Sequence, residues 1–445
     1  MNVTNVPLAT KVVRRERPGI GGRSFASVVH VTEKGGSFGG TEEYIALVTA
    51  ALAADGVRSS LVCGVVTGTL SAELDEVRIV PGLAARELHA DTARAVADAV
   101  AELDADIIYV HNIFDPAVVP TLSALDGRGV LLWYVHDHYL TCLSELRWRR
   151  DLGSCAQRLG HDCLDAITDG RCVMRHPDRV HVGADVERRA ALQRSLGAAD
   201  AVIVVSDYMR SLLHDAQPDL ADYLHVLTRP IRDLGSLRPR HRTLADDPAV
   251  VTYAGRITTE KGLAVVIEAL GAMAATAPVE LRIAGVVEDD QYWTRCRQLL
   301  TRSMATNRRL TAVYLGHLDY REMDQLLRKS DIVTIPSRWP EPLGAVALEA
   351  MAAGAAVIAS SVGGLGGILA NDRNGIHAVA GDVGSWRDAL TALLDHPGQA
   401  RRLGEQGHRE SARTGIADHL RDLDALVDAQ GRGSKPPNRA SRIAS

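Results

Sequence analysis

Short apolar runs, each closed by a glycine- or proline-marked turn and followed by a helix-compatible stretch, constrain this chain most. That alternation folds as parallel strands joined by crossover helices. The first series opens with Val28-Val29-His30-Val31, turns at Gly35-Gly36-Ser37-Phe38-Gly39-Gly40, and enters an Ala/Leu-rich stretch from Glu42 to Ala54. Further runs stand at Ser60 to Cys63, Ile107 to Val110, Val130 to Val135 and Ala201 to Val205. A second series follows at Val250 to Ala254, Glu280 to Ala284, Ala312 to Leu315, Ile332 to Ile335 and Ala356 to Ala359. The polar stretch 233–247 between them, with Pro239, Arg238, Arg240, Arg242 and Asp246-Asp247, has linker composition.

Two doubly wound α/β domains are therefore expected, and 445 residues exceed what one hydrophobic core supports. The division is a disordered arm over 1–25, a first domain over 26–232, the linker 233–247 and a second domain over 248–414. A terminal helix over 415–430 carries apolar spacing at Ile416, Leu420, Leu423, Leu426 and Val427, and can cross back onto the first domain. Residues 431–445 hold too little apolar surface to offset their ordering entropy and read as a tail.

A formal net charge of −5 excludes the basic excess of a nucleic-acid binder, so an anionic ligand must meet local cations. No apolar run is long enough for an export signal or a membrane span; even Ala345 to Val357 is broken by Glu349 and Gly354. A cytoplasmic chain without a transmembrane segment is expected, with peripheral membrane contact left open.

Open parallel sheets place ligands at the carboxyl ends of their strands. Two segments at such ends carry chemistry. In Glu341-Pro342-Leu343-Gly344-Ala345-Val346-Ala347-Leu348-Glu349-Ala350, a helix starting near Leu343 would direct free N–H groups and its positive dipole end at a phosphate. Glu341 and Glu349, eight residues apart, would sit about 80° apart around such a helix. Both can then serve one extended ligand, although a helix-dipole complement and a surface acid would share this pattern. In Tyr253-Ala254-Gly255-Arg256-Ile257-Thr258-Thr259-Glu260-Lys261-Gly262, Gly255 permits a tight turn while Arg256 and Lys261 supply cations for a diphosphate.

These two segments, in order and separation, resemble the retaining glycosyltransferases of family 4, which have the GT-B fold of two Rossmann-like domains facing across a cleft. Gly39-Gly40-Thr41-Glu42, Ser206-Asp207, Gly363-Gly364, Asn374-Gly375 and Gly381-Asp382 extend the resemblance over most of the chain. It implies a nucleoside-diphosphate sugar as donor, a hydroxyl-bearing small-molecule, glycan or glycolipid acceptor, and no required cofactor. Arg256 and Lys261 would neutralise the diphosphate beside Leu343 and Gly344, Glu349 would hold the ribose, and Glu341 would contact the transferred sugar. Gly39 and Gly40 would approach the phosphates from the first domain, and His136 matches the family's histidine near the sugar. The leaving phosphate would assist deprotonation of the acceptor, so no protein nucleophile is implied.

Two departures stand out. Where the family has Gly-Gly-x-x-Glu, this chain reads Gly363-Gly364-Leu365-Gly366-Gly367 and lacks the carboxylate. A basic insert, 141–179, carries Cys142, Cys155, Cys163 and Cys172, which read either as reduced thiols or as ligands of one structural zinc, without any Cys-x2-Cys pairing. Rival functions are a phosphorylase or epimerase acting on nucleotide sugars, or a silent nucleotide-sugar-binding scaffold. A nicotinamide dehydrogenase would need a Gly-x-Gly-x-x-Gly after the first strand, which is missing.

Overall fold

The computed structural model describes residues 23–432 apart from 38, 86–87, 173–181, 233–247 and 275–276. The linker 233–247, most of the N-terminal arm and nearly all of the tail lie outside them. The chain divides into two compact units. One comprises the described residues up to Leu146, Gln157–Pro230 and everything from Ile416 onward; the other comprises Arg147–Ala156 and Ile231–Gly415.

The first unit is built on a seven-stranded sheet in the spatial order Glu76–Ile79, Arg58–Thr67, Ser27–Gly36, Ile107–Val110, Val130–Val135, Ala201–Val204 and Leu224–Val226. Every neighbouring pair is parallel. The inner strands Ile107–Val110 and Ala201–Val204 are buried throughout, as a sheet covered on both faces requires. The first strand runs farther than the apolar pattern suggested and absorbs Gly35 and Gly36. A Cβ at Gly36, where φ is +138°, would meet the Thr67 carbonyl at 1.6 Å, so only glycine lets the two long strands end side by side. Glu76–Ile79 and Leu224–Val226 are sheet-edge strands that the apolar pattern did not reveal.

The second unit repeats the design with six parallel strands: Leu310–Gly316, Val279–Ala284, Ala249–Ala254, Ile332–Ile335, Ala356–Ser360 and Ile376–Ala378. Its core packs Val251, Leu281 and Ile283 from the sheet against Val266, Ile267, Leu270, Trp386 and Leu390 from helices Leu263–Gly271 and Val383–Asp395. Asp382 caps the second of these helices by accepting from Ser385 N at 2.6 Å, and the buried Asn374 ties its loop to Ala370, Ile368 and Glu410. Ser206 does the same for helix Asp207–Ala216, accepting from Met209 N. These residues of the resemblance are explained by local folding.

In both sheets the strand order reverses beside the first strand of the unit. The reversals fall between Ser27–Gly36 and Ile107–Val110, and between Ala249–Ala254 and Ile332–Ile335. The loops leaving those strands in opposite directions open a crevice at the carboxyl edge.

Helix Ile416–Arg432 belongs to the first unit, where it buries Leu420, Leu423 and Val427 and makes a buried polar tie. Its His419 donates from Nδ1 to the Thr228 carbonyl at 3.0 Å, because a carbonyl can only accept. The other nitrogen, Nε2, then accepts from the Tyr44 hydroxyl at 2.9 Å, which in turn accepts from Tyr109 at 2.8 Å. Replacing Tyr44 by Phe strands both the Tyr109 hydroxyl and His419 Nε2 in the interior. A loss of about 1 to 3 kcal/mol is expected, measured by denaturant unfolding alongside faster proteolysis within 416–432; unchanged values in both would show that the hydroxyl does not tie the helix down.

Candidate active site

The loop leaving Ala249–Ala254 is held closely. Gly255 N donates to Ala284 O at 3.0 Å and Ile257 N to Val286 O at 2.8 Å, while the Tyr253 hydroxyl donates to Arg256 O at 2.6 Å. A Cβ on Gly285 would lie 1.8 Å from Gly255 O, so the two loops can meet only over glycine. After a single 3-10 turn, Thr259–Lys261, Gly262 adopts φ +76°, and a Cβ there would lie 2.0 Å from Pro336 O. That approach sets Lys261 against the loop leaving Ile332–Ile335.

There the buried Glu341 collects three donors on one oxygen. Lys261 Nζ at 2.6 Å, Ser337 Oγ at 2.5 Å and Trp339 Nε1 at 3.0 Å all point at Oε1. The lysine also lies 5.1 Å from the Trp339 ring centroid. Burial pushes the Glu341 pKa up, but the Lys261 charge and the three hydrogen bonds outweigh it and hold the carboxyl below its ordinary value. The group is a carboxylate at neutral pH, with one oxygen saturated by protein and Oε2 left to accept from a ligand. Arg256 pairs with Glu288 at 2.5 Å and lies 3.7 Å from Glu260.

The helix after Glu341 starts later than expected. It spans Ala345–Ala352, and Gly344, in the left-handed region at φ +92°, stands before its first residue without any side-chain cap. A Cβ at Gly344 would collide with Leu365 Cδ2 at 2.3 Å, which forces the turn and the helix start. Leu343 is buried before it. Glu341 therefore precedes the helix rather than riding on it, and the angle drawn from an unbroken helix does not apply; Glu349 sits half-buried on the helix itself. The pair Gly363-Gly364 packs on the Glu341 backbone, with Gly364 N donating to Glu341 O at 2.7 Å.

In the first unit, Gly39 takes φ +121° ahead of helix Gly40–Ala54, which is likewise uncapped by a side chain. Arg229, which drew no attention in the sequence, reaches this turn: its Nη2 pairs with Glu43 at 2.7 Å, and a Cβ on Gly40 would lie 3.3 Å from its Nη1. His136 follows strand Val130–Val135 and is not isolated. Its Nε2 lies 3.0 Å from His111 Nδ1, and His111 Nε2 lies 3.0 Å from His30 Nδ1. The signal for this ladder is a histidine inside or just after each of three apolar runs, Val28-Val29-His30, Ile107 to His111 and Val130 to His136.

Cys142, Cys155, Cys163 and Cys172 are each partly buried, and none is in a disulfide. Among the described residues no three His, Cys, Asp or Glu side chains are gathered as metal ligands. Cys142 Sγ bonds Ser144 Oγ at 3.1 Å, and Cys163 Sγ bonds the Arg158 carbonyl at 3.8 Å. Cys155 follows the hairpin pair Trp148–Arg149 and Gly153–Ser154, and Cys172 follows helix Asp162–Thr168, so separate local elements fix the thiols.

Burial lowers the pKa of His30 and His136 to about 3 and of His419 to about 4, and moves His111 the same way, Arg229 adding to the effect at His136. Folded, these rings stay neutral; unfolded, they take up protons below about pH 6.5. Their contribution is therefore complete above pH 6.5 and lost as pH falls toward 4. Unfolding free energy is expected to drop by about 1.4 kcal/mol per pH unit for each such histidine. His419→Gln should flatten the slope between pH 6 and 5 by about one proton; an unaltered slope would contradict the burial of a neutral ring.

The family model for glycosyltransferase family 4 matches residues 38–232, and that for glycosyl transferases group 1 matches residues 238–410. A D-inositol 3-phosphate glycosyltransferase of Nocardioides sp. is 25% identical over 86% of this chain and 83% of its own length. The α-maltose-1-phosphate synthase of Mycolicibacterium smegmatis is 29% identical over 71% of this chain and 79% of its own. A glycogen synthase of Mycobacterium tuberculosis is 36% identical, but the match covers 36% of that relative's length. Among solved structures, Anabaena Alr3699/HepE in complex with UDP and glucose superposes with a TM-score of 0.63 at 16% identity, over 91% of this chain and 99% of that one. Sucrose-phosphate synthase from Thermosynechococcus elongatus does so with a TM-score of 0.63 at 19% identity, over 92% and 100%. Both show the GT-B fold. Among the described residues no helix is long and apolar enough to cross a membrane.

Proposed function

This chain belongs to the family 4 glycosyltransferases of group 1, and on that premise we propose that it moves a sugar, with retention of anomeric configuration, from a nucleoside-diphosphate sugar to an acceptor hydroxyl. The acceptor is a natural product, glycan or glycolipid, reached from the cytoplasm. The observation that carries the reading is the convergence on Glu341 Oε1 at the reversal point of the second sheet. Such a carboxylate is held charged and fixed in direction, with Oε2 placed to accept from sugar hydroxyls. Lys261 keeps two further N–H donors for a phosphate, and Arg256 brings a planar fork suited to its oxygens. The free N–H groups at the start of Ala345–Ala352 add donors for the same anion. Glu349 holds the ribose.

In this reading catalysis is positioning and charge stabilisation as the sugar–phosphate bond breaks, with the leaving phosphate accepting the acceptor's proton on the same face. The donor diphosphate is tested first with UDP, the nucleotide held by the HepE structure.

The two glutamates are expected to fail differently. Glu349→Gln removes a contact remote from bond breaking and should mainly raise donor KM. Glu341→Gln should lower kcat by about 10- to 1,000-fold with less change in KM. It also releases Lys261, so a sugar-free nucleoside diphosphate should bind this variant at least as well as wild type, but bind Glu349→Gln more weakly. Calorimetry and steady-state kinetics check both arms. Wild-type kcat and wild-type nucleotide affinity in both variants would overturn the donor-site assignment. Lys261→Ala and Arg256→Ala should each weaken nucleotide-diphosphate binding while the chain stays folded, and unchanged affinity in both would contradict their role.

A further inference from the structure

Three imidazoles stand in line across three adjacent strands of the first unit. His30 lies within Ser27–Gly36, His111 immediately after Ile107–Val110, and His136 immediately after Val130–Val135. Each link, His30 Nδ1 to His111 Nε2 and His111 Nδ1 to His136 Nε2, is 3.0 Å long. The inner two rings are fully buried. At the inner end, His30 Nε2 is buried and has no hydrogen-bond partner among the described residues. At the outer end, His136 Nδ1 takes part in neither link.

A neutral imidazole has one donor nitrogen and one acceptor nitrogen, so a line of them can be arranged in only two ways. In one, every hydrogen points outward: His30 donates to His111, His111 donates to His136, and His136 carries its hydrogen on Nδ1. In the other, every hydrogen points inward and the line ends on a His30 Nε2–H with nothing to receive it. The second leaves an orphaned N–H donor in a dry interior, a far rarer and costlier defect than an unused ring acceptor.

We propose that His30 and His111 are positioning residues that fix His136 as the Nδ1–H tautomer, so that it can donate a hydrogen bond to a ligand oxygen but cannot accept a proton there. The inference deepens the reading of His136 as the first-domain residue beside the transferred sugar, and rests on it for the identity of that oxygen. It assigns His136 the binding of a hydroxyl or ring oxygen and removes it as a general base, which leaves deprotonation of the acceptor to the departing phosphate. The groups that face His136 are His111, Tyr44, Tyr134, Arg229 and His419. The arginine cation among them opposes a second positive charge on the ring, which keeps the one-donor, one-acceptor rule in force.

The test is nitrogen NMR on the full chain labelled with 15N-histidine, at pH 7.5 and without any ligand. The His136 pair of signals is assigned by its disappearance in His136→Phe. The expected result is a protonated, pyrrole-type Nδ1 and a pyridine-type Nε2; the opposite pair in the wild-type protein would overturn the proposal outright. His30→Ala never touches His136 but lets water reach the inner end of the line, where it can serve as donor or acceptor. Both arrangements then become allowed, and the His136 Nδ1 signal should move from the pyrrole-type toward the pyridine-type position. A folded His30→Ala protein whose His136 signals stay where they were would show that the ladder does not set the tautomer. Because no donor is present, this outcome is independent of the nucleotide-binding measurements on Glu341 and Glu349, and either reading can fail while the other stands.

Discussion

A parallel sheet sends every strand's carboxyl end out of the same edge, and where the strand order reverses, the loops on either side part and leave backbone groups and side chains facing an open crevice. Both sheets of this chain reverse beside their first strand. That single constraint decides which loops can carry chemistry. In the second unit it selects the loops after Ala249–Ala254 and Ile332–Ile335, which hold Arg256 and Lys261 on one side and Ser337, Trp339 and Glu341 on the other. In the first unit it selects the Gly39-Gly40 turn and the end of Ile107–Val110, where His111 stands. Gly262 follows from the same geometry, standing where the two loops of the second unit approach too closely for a Cβ.

The candidate sites of the two units hold their buried polar groups in different ways. The second keeps ions and pairs them, with a buried carboxylate saturated on one oxygen by a lysine, a hydroxyl and an indole. Breaking such a set by removing one partner is costly because the other charge stays behind. Around its histidines the first unit keeps neutral rings, although it too pairs a buried cation elsewhere, Arg189 with Glu145. Three histidines and the tyrosine–histidine tie satisfy one another as donors and acceptors, and burial holds the rings uncharged. One arrangement supplies fixed charge and the other fixed hydrogen positions.

Most of the sheet was legible in the sequence because strands buried on both faces read as apolar runs; the inner strands fall on the runs read from the sequence, although Val279–Ala284 alternates through Glu280 and Arg282. Three of the four edge strands escaped, Leu310–Gly316 being read, because an edge strand needs no such run: Glu76–Ile79 is only partly buried, and Ile376–Ala378 is three residues long. The start of the helix after Glu341 was misplaced by two residues because the left-handed turn at Gly344 is imposed by Leu365, a contact twenty-one positions away in the chain. Glu341 and Lys261 could be singled out from residue type and spacing. Ser337, Trp339 and Arg229 could not, since their importance lies in what they touch and nothing in their own neighbourhood of sequence marks it. The cysteine spacing left reduced thiols and a structural zinc both open, since without a Cys-x2-Cys pairing closeness in sequence does not decide between them.

Charge balance around the second site bears on how an anion could enter it. The cations Arg256 and Lys261 are already matched by Glu288, Glu260 and Glu341, one carboxylate more than the cations present. On the proposed function a diphosphate meets cations that are already paired, and binding Arg256 through its fork means displacing a carboxylate. Glu341 is the poor candidate, being buried and bonded three times on one oxygen. Glu288 is the easy one, because its side chain is 45% exposed and its pair with Arg256 lies near water, where such a pair is worth about 1 kcal/mol or less. On the proposed function, ligand binding is then an exchange at Arg256, in which an exposed glutamate yields the guanidinium to phosphate oxygens, while Lys261 and Glu341 stay together and keep the sugar-facing carboxylate charged.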